Sequence, residues 1–169
     1  MDEAEQEKIE LIMNLRRQGI RDKRVLSAVE RMKVLEVGTG SGYQAAVLSR
    51  LCRRVYTIER YRTLLKDAVK RLEELHIHNV TAKVGDGALG WPEQAPFDRI
   101  IVTAAAPAVP QKLVDQLKEG GLMIVPVAVS GKRGEQKLVR IERTGDGVTR
   151  EELLPVRFVP LVEGVARES

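Results

Sequence analysis

Between Val34 and Gly42 the chain passes from a short apolar run, Val34-Leu35-Glu36-Val37, into a loop with glycine at every second position, Gly38-Thr39-Gly40-Ser41-Gly42. No other feature constrains the fold as much. The glycines let the backbone turn tightly and leave no side chain between it and a ligand. Val47, Leu48 and Leu51 then mark a helix. A strand, a glycine loop and a helix in that order open an α/β sheet that binds its ligand at the carboxyl ends of the strands.

The downstream pattern agrees. Val55-Tyr56-Thr57-Ile58 reads as a second strand, and residues 61–75 as a helix with Leu64, Leu65, Ala68, Val69, Leu72 and Leu75 on one side. Val80 to Val84 and Asp98 to Ala104 are the third and fourth strands. A helix over 110–118 is closed by Gly120-Gly121, and Leu122 to Val127 is the fifth strand. Strands alternating with helices imply a parallel sheet covered on both faces, with right-handed crossovers. Gln136 to Glu142 and Val148 to Leu154 flank Thr144-Gly145-Asp146-Gly147 and read as an antiparallel hairpin. The expected fold is α/β: an open, mostly parallel Rossmann-like sheet with helices on both faces and an antiparallel C-terminal hairpin.

Upstream, residues 3–18 carry Ile9, Ile12 and Leu15 at helical spacing, and Gly19 is the stop. Asp22 is placed to cap a second helix bearing Val25, Leu26 and Val29 and running to about Met32. Strand one begins at Lys33 or Val34, so the junction lacks the few residues that usually lead from a helix into a strand.

At 169 residues the chain is expected to form one domain: N-terminal helices over 1–32, a cofactor-binding core over 33–129 and antiparallel strands over 130–169. With 43% hydrophobic and 31% charged residues it is not a disordered chain. No apolar run approaches the roughly 18–20 residues of a membrane span. Met1 to Glu10 lacks the apolar centre of a secretion signal. Cys52 is the only cysteine, so there is no internal disulfide and no cysteine-based zinc site. A cytoplasmic protein is expected. The net charge is +4, and its densest basic runs, Arg16-Arg17, Arg53-Arg54 and Lys132-Arg133, are two residues each. Nucleic-acid binders concentrate basic residues in a patch or stripe, so neither nucleic acid nor a membrane is an expected partner.

Two acidic residues accompany the loop. Glu59 ends the second strand about twenty residues on, where a carboxylate accepts from ribose hydroxyls. Asp86, between Gly85 and Gly87 after the third strand, is placed to accept from an adenine amino group. The loop has no Lys-Ser/Thr pair, so it is no P-loop. A dinucleotide fingerprint wants a third glycine where Tyr43 stands. Glu36 beside the loop disfavours a pyrophosphate and suits an ammonium or sulfonium group. S-adenosylmethionine meets both conditions and NAD meets neither.

The run Val34-Leu-Glu-Val-Gly-Thr-Gly-Ser-Gly-Tyr-Gln-Ala-Ala46 resembles the cofactor loop of protein-L-isoaspartate O-methyltransferases. The resemblance continues through Tyr56-Thr-Ile-Glu-Arg60, His78-Asn-Val80, Gly85-Asp-Gly87, Ala95-Pro-Phe-Asp98, Ile100-Ile-Val-Thr-Ala-Ala105, Leu117-Lys-Glu-Gly-Gly121 and Val156-Arg-Phe-Val-Pro-Leu-Val162. It implies a cytosolic repair enzyme that transfers a methyl group from S-adenosylmethionine to the α-carboxylate of L-isoaspartyl residues in damaged proteins, leaving S-adenosyl-L-homocysteine. It also implies a cofactor site of Glu36, Gly38, Thr39, Gly40, Ser41, Gly42, Glu59, Arg60, Gly85, Asp86 and Gly87. Thr103 and Ala104 are candidate pocket residues beside the transferred methyl. No catalytic residue is assigned, no metal is expected, and His76 and His78 read as solvated loop residues. Isoaspartyl-containing proteins and peptides are the expected partners, and the chain is expected to be a monomer. The alternatives are a non-catalytic adenosyl-binding module and a methyltransferase for a different acceptor.

One departure stands out. Family members carry, between the N-terminal helices and the glycine loop, a segment with a Gly-Gln-Thr-Ile/Val-Ser run that covers the active site and offers a serine hydroxyl to the substrate carboxylate. This chain has none between Met32 and Lys33. We expect the intact protein to carry a stretch here that these 169 residues omit; the other explanation is a true deletion, which would bind cofactor but turn over poorly. Intact mass decides between them: a value near 18.9 kDa would establish the deletion.

Overall fold

A computed structural model describes residues 3–168 of the chain; Met1, Asp2 and Ser169, which the single-domain expectation includes, lie outside the described residues. Helices α1 (Glu3–Arg17) and α2 (Lys23–Val29) precede an alternating series. It runs β1 (Lys33–Val37), α3 (Tyr43–Ser49), β2 (Arg54–Glu59), α4 (Arg62–Glu74), β3 (Val80–Val84), β4 (Phe97–Val102), α5 (Gln111–Val114), β5 (Leu117–Ala128), β6 (Gln136–Thr144) and β7 (Gly147–Val156). The sheet has seven strands in the order β3-β2-β1-β4-β5-β6-β7. β1 lies centrally, parallel to β2 and β4; β5 to β6 and β6 to β7 are antiparallel. This is the expected mostly parallel sheet with its antiparallel end.

β1 divides its side chains between two cores, as the two-residue period of a strand requires. Leu35 and Val37 join Ile58, Phe97, Ile100, Leu113 and Met123 in the main cluster. Val34 joins Cys52 and Val55 in a smaller one. Both sides of the strand are thus dry, which explains why it reads as an unbroken apolar run. Burial pushes the Cys52 thiol up to about 12.

The hairpin turn is as expected: Thr144 pairs with Gly147, leaving Gly145-Asp146 as the two-residue loop. The fourth strand ends at Val102 and not at Ala104, the hairpin strands run one or two residues beyond expectation, and two differences are larger. The helix expected over 110–118 is a single turn, because the Phe97 N–H donates to the Gln116 carbonyl at 2.8 Å and Leu117 pairs with Phe97. Strand pairing therefore takes over at Leu117, three residues before Gly120-Gly121. The register then jumps, with Arg99 opposite Leu122 and residues 118–121 bulging out.

The other difference concerns the junction before β1. α2 begins as expected, with the Asp22 carboxylate accepting from the Arg24 and Val25 N–H groups. It ends at Val29, however, and not near Met32. The N–H groups of Arg31 and Met32 donate to Ala28 and Val29 at 3.2 and 3.1 Å, and the Met32 carbonyl accepts from Arg53. Glu30, Arg31 and Met32 are therefore a connector, closed by short-range helix-end bonds that need no glycine. α1 and α2 share a small cluster of Leu11, Leu15 and Leu26, while Met32 packs against the Val34 cluster. The chain passes from helix to sheet here without strain that would demand further residues.

Phe97, the first residue of β4, is fully buried in the main cluster, edge-on to Tyr56 at 5.8 Å. Phe97→Ala should cost about 3–5 kcal/mol in urea unfolding; a loss below about 1 kcal/mol would contradict a close-packed core at this point.

Candidate cofactor site

The site is built at the carboxyl ends of β1, β2, β3 and β4. A cavity of about 400 Å³ opens there, within the roughly 300–1,000 Å³ usual for small-molecule and cofactor sites. One side is lined by Val37, Gly38, Gly40, Ile58, Glu59, Arg60, Tyr61 and Leu64, with Gly87 beyond them; the other by Thr103, Ala104 and Val159 to Val162.

The glycine loop is fixed from below. Glu36 is completely buried, although it carries a carboxyl group. Thr57 Oγ1 donates to one of its oxygens at 2.7 Å and Gln44 Nε2 to the other at 3.0 Å. Thr39 and Thr57 share a hydroxyl–hydroxyl hydrogen bond of 2.6 Å. β1, β2, the loop and α3 are therefore joined through one polar cluster. From above, Thr103 Oγ1 donates to the Val37 and Gly38 carbonyls at 2.9 and 3.0 Å. A Cβ on Gly38 would lie 2.2 Å from that hydroxyl, and φ there is +99°. Only glycine fits between the loop and β4. Gly40 (φ +53°) faces open space, the cradle that a ligand's atoms would fill.

Glu59 lies at the end of β2 with both oxygens engaged by backbone. Gly40 N–H donates to one at 2.9 Å; Arg60 and Tyr61 N–H donate to the other at 2.9 and 3.1 Å. A carboxylate has about four acceptor positions, so one is left. Asp86 accepts from Ala88 N–H at 2.9 Å and from Gly164 N–H at 2.8 Å, leaving two. Arg60 Nε is buried with no hydrogen-bond partner, a donor that a bound ligand would satisfy. These features fit a polar adenosyl ligand.

Among the residues expected at the site, Gly38, Gly40, Glu59, Arg60, Gly87, Thr103 and Ala104 line the cavity together. Glu36 and Thr39 lie beneath it, Ser41 is exposed, and Gly42 packs where a Cβ would touch Ala68 at 3.1 Å. Gly85 and Asp86 stand just outside the lining. Tyr61, Leu64 and Val162 are lining residues that the spacing did not single out. Leu64 was expected on one side of the helix with Leu65, Ala68, Val69, Leu72 and Leu75; of these Leu65, Ala68 and Leu72 are buried, and Leu64 lines the cavity. Its position in the first turn after the acidic strand end was the available signal. His76 and His78 are both exposed. Among the described residues no group of His, Cys, Asp or Glu could hold a metal ion, and no helix is long and apolar enough to cross a membrane.

A parallel sheet with β1 at its centre, a glycine loop after β1, an acidic residue ending β2 and an antiparallel final hairpin define a methyltransferase fold. The comparisons narrow the class. A family model for protein-L-isoaspartate(D-aspartate) O-methyltransferase matches residues 24–166. The chain is 74% identical to a protein-L-isoaspartate O-methyltransferase of Parvibaculum lavamentivorans, over 100% of this chain and 97% of that one. That alignment runs over 216 positions against 169 residues, so at least 47 positions of the relative face no residue here. A solved protein-L-isoaspartate O-methyltransferase superposes with a TM-score of 0.74 at 32% identity, covering 92% of this chain and 47% of that chain. A Plasmodium falciparum structure assigned to the same activity and holding S-adenosyl-L-homocysteine shares the fold, with a TM-score of 0.69 at 22% identity over 90% of this chain and 96% of that chain. The chain belongs to the protein-L-isoaspartate(D-aspartate) O-methyltransferase family.

Burial raises the Glu36 carboxyl to about 7, against the lowering effect of the Thr57 and Gln44 hydrogen bonds; the nearby Glu59 charge adds to the rise. A carboxyl that holds its proton more tightly in the folded state makes stability fall as pH rises. The fall begins near the ordinary value of 4.5, proceeds to about 7 and levels off above it. Its size is about 3 kcal/mol. Glu36→Gln should remove this component, so the wild-type-minus-variant difference in urea midpoint shrinks between pH 5 and pH 8. A difference independent of pH would mean that Glu36 does not titrate in the interior.

Proposed function

We propose that the cavity holds S-adenosylmethionine, and that the chain uses it to methylate the α-carboxylate of L-isoaspartyl residues in damaged proteins. Membership of the family makes the chain an S-adenosylmethionine-dependent carboxyl methyltransferase. The observation that carries the site assignment is the meeting of Gly38, Gly40, Glu59 and Arg60 in one cavity at the strand ends. Gly38 and Gly40 take the methionine portion against bare backbone, with Thr39, Ser41 and Gly42 shaping the loop. Glu36 supports it from beneath. The free acceptor position of Glu59 serves the ribose. Asp86, flanked by Gly85 and Gly87, serves the adenine, with Arg60 beside it.

The cofactor supplies an electrophilic methyl group on a sulfonium sulfur. The acceptor carboxylate is ionised at neutral pH, so the chain needs no general base. Its own contribution is alignment and exclusion of water. Thr103 serves alignment indirectly: its hydroxyl is committed to the Val37 and Gly38 carbonyls and fixes the loop, while Ala104 contributes apolar wall. Exclusion of water is the weaker part. Val159 is 69% exposed, and Tyr61 and Leu64 are about 40% exposed at the rim. The 47 unmatched positions support the proposal that the covering segment expected between Met32 and Lys33 is what is lacking. That exposure favours a second reading, a chain that binds the cofactor without turnover.

Incubation with S-adenosylmethionine and paired peptides separates the two. Methyl transfer to an isoaspartyl peptide, slow but absent for the matched aspartyl peptide, is expected, together with S-adenosylhomocysteine binding in calorimetry. Binding without transfer would leave only the binding module. Equal transfer to both peptides would move the reaction to another acceptor, and tighter binding of NADH would overturn the cofactor assignment.

A further inference from the structure

After β7 the chain turns back across the carboxyl edge of the sheet. Its path is fixed first at β4. Ala105 N–H donates to the Val159 carbonyl at 2.7 Å, and Leu161 N–H to the Ala105 carbonyl at 2.8 Å. Leu161 then passes over β1, where a Cβ on Gly87 would meet its Cδ1 at 3.7 Å and Val37 at 2.3 Å. Val159 to Val162 thereby form one wall of the cavity. Beyond them the path continues over β3 and β2. Gly164 N–H donates to Asp86 Oδ2 at 2.8 Å, and Ala166 N–H donates to the Arg60 carbonyl at 3.0 Å.

The path ends on α4. Glu168 accepts from Arg62 N–H at 2.7 Å, from Thr63 N–H at 3.1 Å and from the Thr63 hydroxyl. α4 has 13 residues, and its own N-cap, Tyr61, provides no side-chain hydrogen bond. The first N–H groups of a helix lack partners within it, and its amino end attracts negative charge. Glu168, more than a hundred residues away in sequence, supplies both the acceptor and the charge. The backbone positions it thereby holds in place are at Asp86 and Arg60, the two residues assigned to the adenine.

We propose that residues 163–168 are a strap closing the adenosine end of the cavity, and that Glu168 is the positioning residue that latches it by capping α4. The latch works through the wall: with Glu168 docked, Gly164 and Ala166 are pinned to Asp86 and Arg60, and Val162 is held against the cavity. With Glu168 free, the hydrogen bonds that tether the segment from Val162 onward, among the described residues, are those of Gly164 N–H to the Asp86 carboxylate and of Ala166 N–H to the Arg60 carbonyl. Cofactor exchange then requires no unfolding of the sheet, only release of the strap. The inference rests on the cofactor assignment above.

The test uses the full chain and S-adenosylhomocysteine as probe. Glu168→Ala should raise the ligand's dissociation rate and dissociation constant roughly fivefold, the scale of one lost helix cap, while the thermal midpoint falls by no more than about 4 °C. Glu168→Gln keeps one acceptor oxygen and should restore part of the loss. Hydrogen exchange at Gly164 and Ala166 should slow on ligand binding in the wild type and stay fast in Glu168→Ala. Unchanged ligand kinetics and exchange in Glu168→Ala would overturn the strap. A lowered midpoint with unchanged ligand affinity would also overturn it, by making the contact purely structural. A wild type that binds no S-adenosylhomocysteine would defeat the cofactor assignment instead.

Discussion

A carboxyl group in the middle of a parallel sheet is the constraint on which the rest of the site depends. Glu36 cannot be solvated, so Thr57 from β2 and Gln44 from α3 must both reach it. Each contact fixes the position of a different element relative to β1. Thr57 also holds Thr39, and so the loop above. Burying a polar group is tolerated only with its hydrogen bonds made. The cluster thus converts a local demand for satisfaction into an accurate placement of the glycine backbone. Thr103 repeats the device from the other side, using its hydroxyl on the carbonyls of Val37 and Gly38. The loop is flexible by composition and rigid by context.

Much of this architecture was legible in the residues. β1 and β2 are short, β-branched and largely buried, so each appears as a bounded apolar run. Glu59 and Asp86 betray themselves by falling at strand ends in register with the loop. Other features depend on partners that no local pattern reveals. The stretch after Val114 has helical spacing, but the Phe97 N–H claims the Gln116 carbonyl and the strand wins. Leu64 looks like one more core leucine of an amphipathic helix; only the position of β2 turns it toward the cavity. The strap was invisible, because a backbone amide meeting Asp86 from 78 residues away leaves no trace in composition.

The junction at Met32 and Lys33 shows how far spacing can mislead. The lack of connecting residues between helix and strand suggested that part of the chain was missing at an awkward join. The helix instead ends early, through hydrogen bonds that Arg31 and Met32 make back to Ala28 and Val29. The join is sound, while the rim of the cavity, where Val159, Tyr61 and Leu64 face water, stays exposed. Resemblance and local physics point to the same position for different reasons, and only the second is answered by the connector.

The cavity's walls are separated widely along the chain. The glycine loop and Glu59 come early, while Val159 to Val162 and Glu168 come at the far end. Contacts at such sequence separation cost more loop-closure entropy than the local units they join. During synthesis, therefore, the loop and its supporting carboxyl leave the ribosome well before the wall that faces them. The nascent chain thus holds the residues of the cradle before those of the wall that faces them.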